Sequence, residues 1–389
     1  MIEAKSTTEA KPAMPFYASE LTSVLSERLS SWHGSRLKFM ARYIGSLLKL
    51  TTVNASKLAL ALNPDVKEDS NERRIERFMS EYDFDFQRFG EFLLSLLPQQ
   101  SGYVVVMDRT EWHFGSKPVN VLMIGIAYKG IAFPVLWDML SGEGEGKAGC
   151  SSTQERKALF ERFLRLIGGA EKIRAFVADR EFISSGWLGF LAGRDVPFVI
   201  RIRSSRSIAS GQPDGPALPA RMFFRGSLAP RGGPERQLRG PRFVGGEQVN
   251  VVGKRLARED DEFLILVASP GIAASRALRL YRRRWEIETL FAAMKSRGFD
   301  LEATHMSHPP NVGKLIGLLG LAFVWSHLVG QWRHQQDPLD IKKHGWPEKS
   351  LFRYGLDLLQ SVMLNLTERK DQFRRCIGLL TNPSKFFVG

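Results

Sequence analysis

Two short apolar runs, rich in β-branched residues, are each followed directly by an aspartate. The first run, Tyr103 to Met107, stops at Asp108, and the second, Ile173 to Ala178, stops at Asp179. Such runs are typical of strands buried in a sheet. One acid after a strand is usually a turn former or a helix cap, but ligands and catalytic groups also collect where strands leave a packed sheet. The two runs predict an α/β core with paired carboxylates at its edge.

A helical pattern late in the chain supplies a third carboxylate. At about 100° per residue, one narrow polar stripe contains Tyr281, Arg284, Glu288 and Lys295. The apolar stripe beside it contains Leu280, Ile287, Phe291 and Met294. Because an apolar stripe faces a core, the polar stripe is expected at the edge of that core. The alternatives are a solvated helix face and structural salt bridges to Glu288. Glu286 projects opposite Glu288 and is expected to be an ordinary surface acid.

Three carboxylates gathered in a partly buried place repel one another and need a compensating charge. Oxygen ligands without His or Cys favour Mg²⁺ or Mn²⁺ over zinc. Two such ions about 4 Å apart can activate a water or hydroxyl on one side of a phosphodiester and stabilise the leaving oxygen on the other. Asp108, Asp179 and Glu288 are therefore the candidate catalytic residues and the candidate ligands of two Mg²⁺ ions, for which Mn²⁺ could substitute.

The late polar stripe fits the pattern Tyr-x2-Arg-x3-Glu-x6-Lys without a gap. With Asp108, Asp179 and the segment STQER at 152–156, it resembles the motifs of bacterial insertion-sequence transposases of the DDE superfamily, over about residues 35–330. The resemblance implies an RNase H-like core and cut-and-paste transposition, in which transposon ends are cleaved and joined to target DNA. The implied partners are double-stranded DNA, both terminal inverted repeats and target, and a second copy of the chain in a DNA-bound homodimer.

The resemblance also implies roles for the other residues of the late motif. Arg284 and Lys295 are expected to hold phosphates near the scissile bond, Arg through paired donors and Lys as a point charge. Tyr281 can donate a hydrogen bond to a phosphate. Some relatives stack a flipped base on a Trp between the second Asp and the Glu. Between Asp179 and Arg284 the only Trp here is Trp187, which lies close to Asp179, and Phe223 or Phe224 is the alternative.

Net charge favours a polyanionic partner. The 55 Lys and Arg exceed the 41 Asp and Glu, which gives +14. Much of the excess lies in residues 201–258, an Arg-rich interval with eleven Arg and one Lys against three acids. We expect this interval to bind phosphates through residues such as Arg221 and Arg225. The alternative is that its charge serves solubility.

The N-terminal region is expected to bind DNA ends. Residues 1–18 are polar and predicted to be disordered, whereas residues 19–100 are helical in pattern. A helix-turn-helix is possible around residues 52–79, with Asn54 starting one helix and Ser70-Asn71 capping the next. A plain helical bundle fits equally well. The candidate DNA-binding residues are Arg73, Arg74 and Arg77.

The remaining regions follow from composition and periodicity. The catalytic core is predicted over residues 101–203 and 264–330. It includes a hairpin turning at Lys129-Gly130 and a helix through Leu166 that starts with the capping box Ser152 to Glu155. Residues 204–263, rich in Gly, Pro, Ser and Arg, predict a β-rich basic insertion. Residues 331–389 predict a C-terminal helical region and are a candidate for dimerisation.

Cysteine content favours a reducing cytoplasm, and hydropathy gives no indication of a membrane. The resemblance implies a bacterial protein associated with the nucleoid. Cys150 and Cys376 lack metal-ligand spacing, and the N-terminus lacks a secretion signal. The apolar stretch Leu315 to Trp325 is shorter than the roughly 18 residues that span a bilayer and predicts a buried core helix. Two alternative functions stay open: a metal-dependent repair or recombination nuclease, and a catalytically silent DNA-binding protein from a decayed element.

Overall fold

The computed structural model describes residues 14–114, 117–140, 151–224, 235–256, 263–343 and 345–387. Helices in this part are α1 (Phe16–Arg28), α2 (Gly34–Leu50), α3 (Ala55–Leu62), α4 (Glu68–Glu81), α5 (Phe86–Ser95), α6 (Thr153–Ile167), α7 (Ser185–Ala192), α8 (Ala274–Arg282), α9 (Trp285–Met294), α10 (Pro309–Gln336), α11 (Leu351–Leu364) and α12 (Lys370–Thr381). Strands are β1 (Tyr103–Phe114), β2 (Lys117–Tyr128), β3 (Ile131–Leu140), β4 (Ile173–Ala178), β5 (Phe198–Ile202), β6 (Ser207–Ser210), β7 (Ala217–Pro219), β8 (Arg236–Gln237), β9 (Arg242–Val244), β10 (Glu247–Arg255) and β11 (Phe263–Ala268).

The chain divides into two compact units. The helical unit comprises Met1–Asp83, Gly298–His305 and Leu321–Gly389, and the sheet unit comprises Phe84–Arg297 and Met306–Gly320. These boundaries differ from the predicted domains in two respects. The N-terminal and C-terminal helices fold together, because α1 packs on α12 and α2 packs on α11. Helix α5, predicted within the N-terminal domain, belongs to the sheet unit because it packs on β3.

The helical unit starts earlier than the sequence predicted. Helix α1 begins at Phe16, and Tyr17 and Ala18 are buried at 3% and 0% exposure. Tyr17 and Ala18, which belong to the predicted disordered tail, are therefore part of the core. The first thirteen residues of that tail lie outside the described residues.

Helices α3 and α4 occupy the predicted helix-turn-helix region. Asn54 caps α3 as predicted, since its side chain accepts a hydrogen bond from the N–H of Lys57 at 3.1 Å. The predicted cap of α4 at Ser70-Asn71 is wrong, because α4 already begins at Glu68. The buried amide of Asn71 instead donates to the carbonyls of Ala59 and Asn63, each at 2.9 Å. Asn71 thus joins the two helices rather than starting one.

The sheet unit is built on a mixed sheet of order β3-β2-β1-β4-β5-β11-β10-β9-β6-β7, with β8 paired to β10. Strands β1, β4 and β5 are parallel neighbours, while β2 and β3 form an antiparallel meander with β1. The predicted hairpin turn is confirmed, because Lys129 and Gly130 both have positive φ, at 46° and 89°. The predicted capping box is also confirmed, with Ser152 and Glu155 bonded reciprocally at the start of α6.

Strand β1 is longer than predicted. It does not end at Asp108 but continues to Phe114, because β2 pairs with it along that length. Asp108 therefore lies within a strand. The neighbouring strand β4 does end at Ala178. Among the described strands, the part of β1 that extends past the end of β4 therefore pairs with β2 alone.

Strands β6 to β10 fall within the predicted insertion of residues 204–263. They extend the sheet rather than forming a separate layer, because β10 pairs with β11 and β11 pairs with β5. Residues 225–234 and 257–262 of this interval lie outside the described residues.

Helix α10 contains the predicted apolar core segment. By length and composition alone it could cross a membrane, and its most apolar window is entirely buried inside the protein. Its residues up to Gly320 belong to the sheet unit, and those from Leu321 belong to the helical unit.

Candidate active site

The register between β1 and β4 places Asp108 beside Asp179. These parallel strands pair Val106 with Val177, and each aspartate lies two residues beyond its member of that pair. Side chains two residues apart in a strand point to the same face, so the carboxylates emerge side by side. Trp112 is an even number of residues from Asp108 along β1, so its side chain is on the same face of the sheet. This face is the one covered by α9, because Trp112 packs edge-on against Phe291 with ring centroids 6.4 Å apart.

The late motif lies on two helices instead of one. Helix α8 ends at Arg282 and α9 starts at Trp285, with Arg284 at the junction. Lys295 follows the last residue of α9 with ψ −146°, so it is outside the helix. The prediction of one continuous polar stripe is therefore wrong in detail. The apolar stripe is buried as predicted, through Leu280, Ile287, Phe291 and Met294.

Arg284 connects two of the three predicted acids. Its Nη1 donates to Asp108 Oδ2 at 3.3 Å, and its Nη2 donates to Glu288 Oε1 at 2.6 Å. The Arg284 side chain is only 8% exposed, so this is an ion pair in a nearly dry place rather than on a solvated face. One guanidinium therefore balances the negative charge of two carboxylates. Because it bonds to both, the two carboxylates can be no farther apart than the width of the guanidinium plus two hydrogen bonds.

Tyr281 binds Asp179, the third predicted acid. Its hydroxyl donates to Asp179 Oδ1 at 3.1 Å. Burial and the negative charge of Asp179 raise the pKa of Tyr281 to about 12. The phenol is therefore a protonated donor at neutral pH. Tyr281 and Arg284 together hold all three predicted acids in one neighbourhood.

Asp108 has a raised pKa. Burial raises its pKa to about 7, and the like charges of Glu181 and Glu288 act in the same direction. The N–H of Arg109 at 2.8 Å and the charge of Arg284 oppose the shift but do not cancel it. A substantial fraction of Asp108 is thus protonated near neutral pH in the metal-free protein.

Lys295 reaches β1 instead of Glu288. Its Nζ donates to the carbonyl of Glu111 at 3.3 Å and lies 5.8 Å from the ring centroid of Trp112. This places a cation beside the strand that carries Asp108, three residues farther along.

Glu286 is not the surface acid that the helical projection predicted. Its side chain is 14% exposed, compared with 36% for Glu288. It accepts hydrogen bonds from Arg283 at 2.9 and 3.2 Å and from the backbone at Tyr128 and Gly130. Burial raises the pKa of Glu286. The reason for the error is tertiary, because the β2–β3 turn covers that side of α9.

Sequence reasoning missed Arg109 and Glu181. Arg109 donates to Asn120 at 2.7 Å and forms ion pairs with Glu111 at 3.7 Å and Glu181 at 3.9 Å. Burial raises the pKa of Glu181, and the nearby charge of Asp179 adds to the shift. Their positions in the sequence could have indicated both residues, since each closely follows a predicted catalytic aspartate.

The donor set of this site suits a hard divalent cation. Among the described residues, no three His, Cys, Asp or Glu side chains lie close enough to hold a metal without rearrangement. Arg284 supplies the positive charge between Asp108 and Glu288. The pKa of Asp108 stays raised although the charge of Arg284 lowers it. A bound cation would provide the missing compensation, so the residues present fit the predicted Mg²⁺ ligands in chemistry.

The other predicted DNA-binding residues belong to both units. In the helical unit, Arg74 and Arg77 line a groove of about 700 Å³ between α2 and α4, whose further cations are Arg36, Lys38 and Arg42. Arg73 is exposed on the same helix but outside the lining of this groove. In the sheet unit, Arg221 is exposed, and Arg225 lies outside the described residues.

Two of the three candidates for stacking a flipped base are unsuitable. Trp187 and Phe224 are both 0% exposed. Trp187 packs against Phe160 and Phe176, with ring centroids 5.6 Å away in each case. Phe223 is partly exposed, with the Arg242 guanidinium 5.4 Å from its ring centroid.

Comparison with protein families gives one match. Residues 147–325 match the model of the family described as a transposase DDE domain. The matched range includes Asp179 and the whole late motif from Tyr281 to Lys295, and Asp108 precedes it. No protein of curated function matched the sequence. Residues 147–325 are therefore similar to a transposase DDE domain, which is consistent with an insertion-sequence DDE transposase.

Proposed function

We propose that the chain is a DNA transposase that cleaves DNA at the ends of its element and joins those ends to target DNA by a cut-and-paste route. The observation that carries this proposal is the neighbourhood of Asp108, Asp179 and Glu288 around Tyr281 and Arg284. The strand order β3-β2-β1-β4-β5, with a meander followed by parallel strands, supports an RNase H-like core for this reaction.

The reaction would depend on divalent metal, with Asp108, Asp179 and Glu288 holding two Mg²⁺ ions or, as a substitute, Mn²⁺. Bound there, the metal supplies Lewis-acid activation of the attacking oxygen and stabilisation of the leaving oxygen. Asp108 has to be ionised to serve as a ligand. Because its pKa is about 7 in the metal-free protein, metal affinity is expected to rise with pH through that value.

The late motif would bind the phosphates. Arg284 has two terminal nitrogens that already donate to carboxylates, and the same paired donors suit a phosphate. Tyr281 keeps its proton at neutral pH and can donate to a phosphate oxygen. Lys295 adds a point charge beside β1. These side chains orient the scissile phosphodiester, while the acids provide the ligands.

The proposed partner is double-stranded DNA, as terminal inverted repeats and as target. The net charge of +14 and the cationic groove of the helical unit support this choice. A transposase has to bring two ends together, so we include a DNA-bound homodimer in the proposal. A bacterial cytoplasm with access to the nucleoid is the compartment that this activity requires.

A strand-transfer assay tests the proposal. The purified chain is incubated with Mg²⁺, a plasmid target and a labelled duplex that ends in the terminal inverted repeats found beside the gene. We expect label joined covalently to the plasmid, and no joining with Asp179→Asn. Cleavage without joining would indicate a repair or recombination nuclease. Binding without cleavage would indicate a silent DNA-binding protein, and either result would overturn the proposal.

A further inference from the structure

Besides the Arg-rich interval, the sheet unit has a cationic cavity lined by residues that directly follow Asp179. It is a cavity of about 390 Å³ whose lining comes from the start of α6, the start of α7 and the segments after β4 and β5. Its charged lining residues are Arg156, Arg180, Arg203, Arg206 and Glu181. Hydroxyl groups complete the polar lining, from Ser151, Ser152, Thr153 and Ser184. Four cations against one acid make this an anion-binding cavity by composition.

Arg156 is fixed in the wall of this cavity. It is 6% exposed, its Nε donates to Ser151 Oγ at 2.8 Å, and its Nη2 donates to the Ser151 carbonyl at 2.7 Å. Its guanidinium lies 4.8 Å from the ring centroid of Phe182. The charge of Arg156 also acts on Glu181, the acid of the lining, and opposes the rise in the pKa of that acid. The wall is therefore organised before any ligand arrives.

The other cations of the cavity are open to a ligand. Arg180, Arg203 and Arg206 form no salt bridge with any acid in the part of the chain that the structure describes. The acid of the lining, Glu181, is drawn toward Arg109 at 3.9 Å. Positive charge in the cavity is thus largely uncompensated.

The cavity adjoins the candidate active site. Arg180 and Glu181 directly follow Asp179 in the chain, and the charges of Asp179 and Arg284 both act on the pKa of Glu181. Glu181 lines the cavity and forms an ion pair at 3.9 Å with Arg109, the residue after Asp108. A strand bound at Asp179 would pass close to the opening of the cavity.

We propose that this cavity binds a backbone phosphate of the DNA strand that runs beside Asp179. The inference rests on the proposed function, because it takes DNA as the substrate. The cavity is larger than one phosphate group, so a phosphodiester with an adjoining sugar fits the proposal. The hydroxyl groups of Thr153 and Ser184, whose oxygens are 3.2 Å apart, supply neutral donors beside the arginines.

The test compares two variants of the full chain with equal loss of charge. The cavity variant combines Arg180→Ala, Arg203→Ala and Arg206→Ala. The control variant combines Arg165→Ala, Arg174→Ala and Arg194→Ala, three exposed arginines of the sheet unit outside the cavity. Binding to a short duplex of arbitrary sequence is measured by fluorescence anisotropy over a range of salt concentrations, in EDTA. Thermal unfolding shows that both variants are folded.

We expect the cavity variant to flatten the slope of log affinity against log salt by about 0.9 for each phosphate that the protein no longer neutralises. The control variant should keep the wild-type slope. Equal slopes for the two variants would overturn the inference. Inorganic phosphate that binds the wild type but not the cavity variant, together with equal DNA slopes, would assign the cavity to a free phosphate and also overturn it. In both cases strand transfer by the wild type would still stand, so failure here is distinguishable from failure of the proposed function.

Discussion

At the scale of single residues, the candidate site depends on a small number of buried charges. Arg284 donates to Asp108 and Glu288, and Tyr281 donates to Asp179. A buried charge that loses its partner is strongly destabilising. These residues therefore constrain one another in the metal-free protein, in addition to the roles proposed for them in catalysis.

Replacing Asp108, Asp179 or Glu288 singly with Ala should reduce DNA cleavage by roughly three orders of magnitude or more. DNA binding should be retained, because phosphate binding elsewhere is separate from metal coordination. Cleavage of a labelled end and anisotropy with the same duplex measure the two effects. The matched control is Glu286→Gln, which changes an acid bonded to Arg283 and the β2–β3 turn. Cleavage abolished in Glu286→Gln and kept in Glu288→Gln would contradict the proposed ligand set.

Asp108→Asn should stabilise the metal-free protein at about pH 8 by on the order of 1 to 2 kcal/mol, because a neutral side chain avoids the cost of a buried charge. The pKa of Asp108 is about 7 in the folded protein and 3.8 ordinarily. The folded state therefore holds this proton more tightly. Its stabilising contribution is complete below the ordinary value and disappears as pH rises through about 7.

Thermal unfolding in EDTA, from about pH 4 to about pH 8, measures this difference across both pKa values. The gap between Asp108→Asn and wild type should open as pH rises. Parallel curves across the range would show that folding does not shift the pKa of Asp108. Cleavage by the wild type should increase as pH rises over the same range, because ionised Asp108 is the proposed metal ligand.

The residues of the site were predictable where a repeat period determines direction. The ends of two apolar runs indicated Asp108 and Asp179, and the spacing of the late motif indicated Tyr281, Arg284 and Glu288, although the motif lies on two helices. Glu286 and Lys295 were not predictable in this way. The partners of Glu286 belong to the β2–β3 turn, and Lys295 leaves the helix to reach Glu111, so both depend on neighbours distant in sequence.

At the scale of elements, close approach of backbones controls one part of the helical unit. Helices α10 and α11 meet at Gly330 and Gly355. A Cβ atom at Gly355 would lie 1.8 Å from the carbonyl oxygen of Ser326, and one at Gly330 would lie 1.8 Å from that of Leu351. Because the obstructing atoms are backbone, no side chain can move aside to make room.

Gly355→Ala should therefore destabilise the protein by about 2 kcal/mol or more, since it forces two packed helices apart. Chemical denaturation monitored by circular dichroism measures the change in the free energy of unfolding. The control is Gly34→Ala at the start of α2, where an added Cβ meets no atom within 4 Å. That substitution should be neutral or slightly stabilising. Equal stabilities for the two variants would contradict the close packing of α10 on α11.

Element type was more predictable than element length. The apolar segments of β1, β4 and β11 carried a clear strand pattern. The continuation of β1 through Asp108, Arg109, Thr110 and Glu111 did not, because pairing with β2 stabilises a polar segment that local propensity would leave as a turn. The break between α8 and α9 was also unpredictable, because Arg283 and Arg284 at the junction are both compatible with a continuous helix.

At the scale of the whole molecule, both units carry positive charge. The helical unit has the cationic groove between α2 and α4, and the sheet unit has the Arg-rich interval of residues 201–258. Base readout needs side chains placed in a groove of the duplex, whereas backbone binding needs only charge along its path. We therefore expect sequence discrimination from the helical unit and general affinity from the Arg-rich interval.

Neutralising Arg221, Arg236 and Arg239 together should weaken binding to DNA of any sequence. All three are exposed in the described part of the Arg-rich interval, whereas Arg225 and Arg231 lie outside it. The slope of log affinity against log salt should flatten by about 0.9 for each phosphate released from the protein surface. The ratio of affinities for terminal-repeat and unrelated duplexes should stay the same, because that ratio is assigned to the helical unit. Titrations of both duplexes over a range of salt concentrations measure slope and ratio together.

The matched control for this last prediction combines Arg73→Ala, Arg74→Ala and Arg77→Ala in α4, which removes the same charge from the helical unit. It should lower the affinity ratio as well as the slope, since these side chains are the predicted readers of the DNA end. A lowered ratio in the sheet-unit variant would reverse the assignment of the two surfaces. An unchanged slope in that variant would mean that the charge of the Arg-rich interval serves solubility, because binding fewer phosphates necessarily changes the number of counterions released.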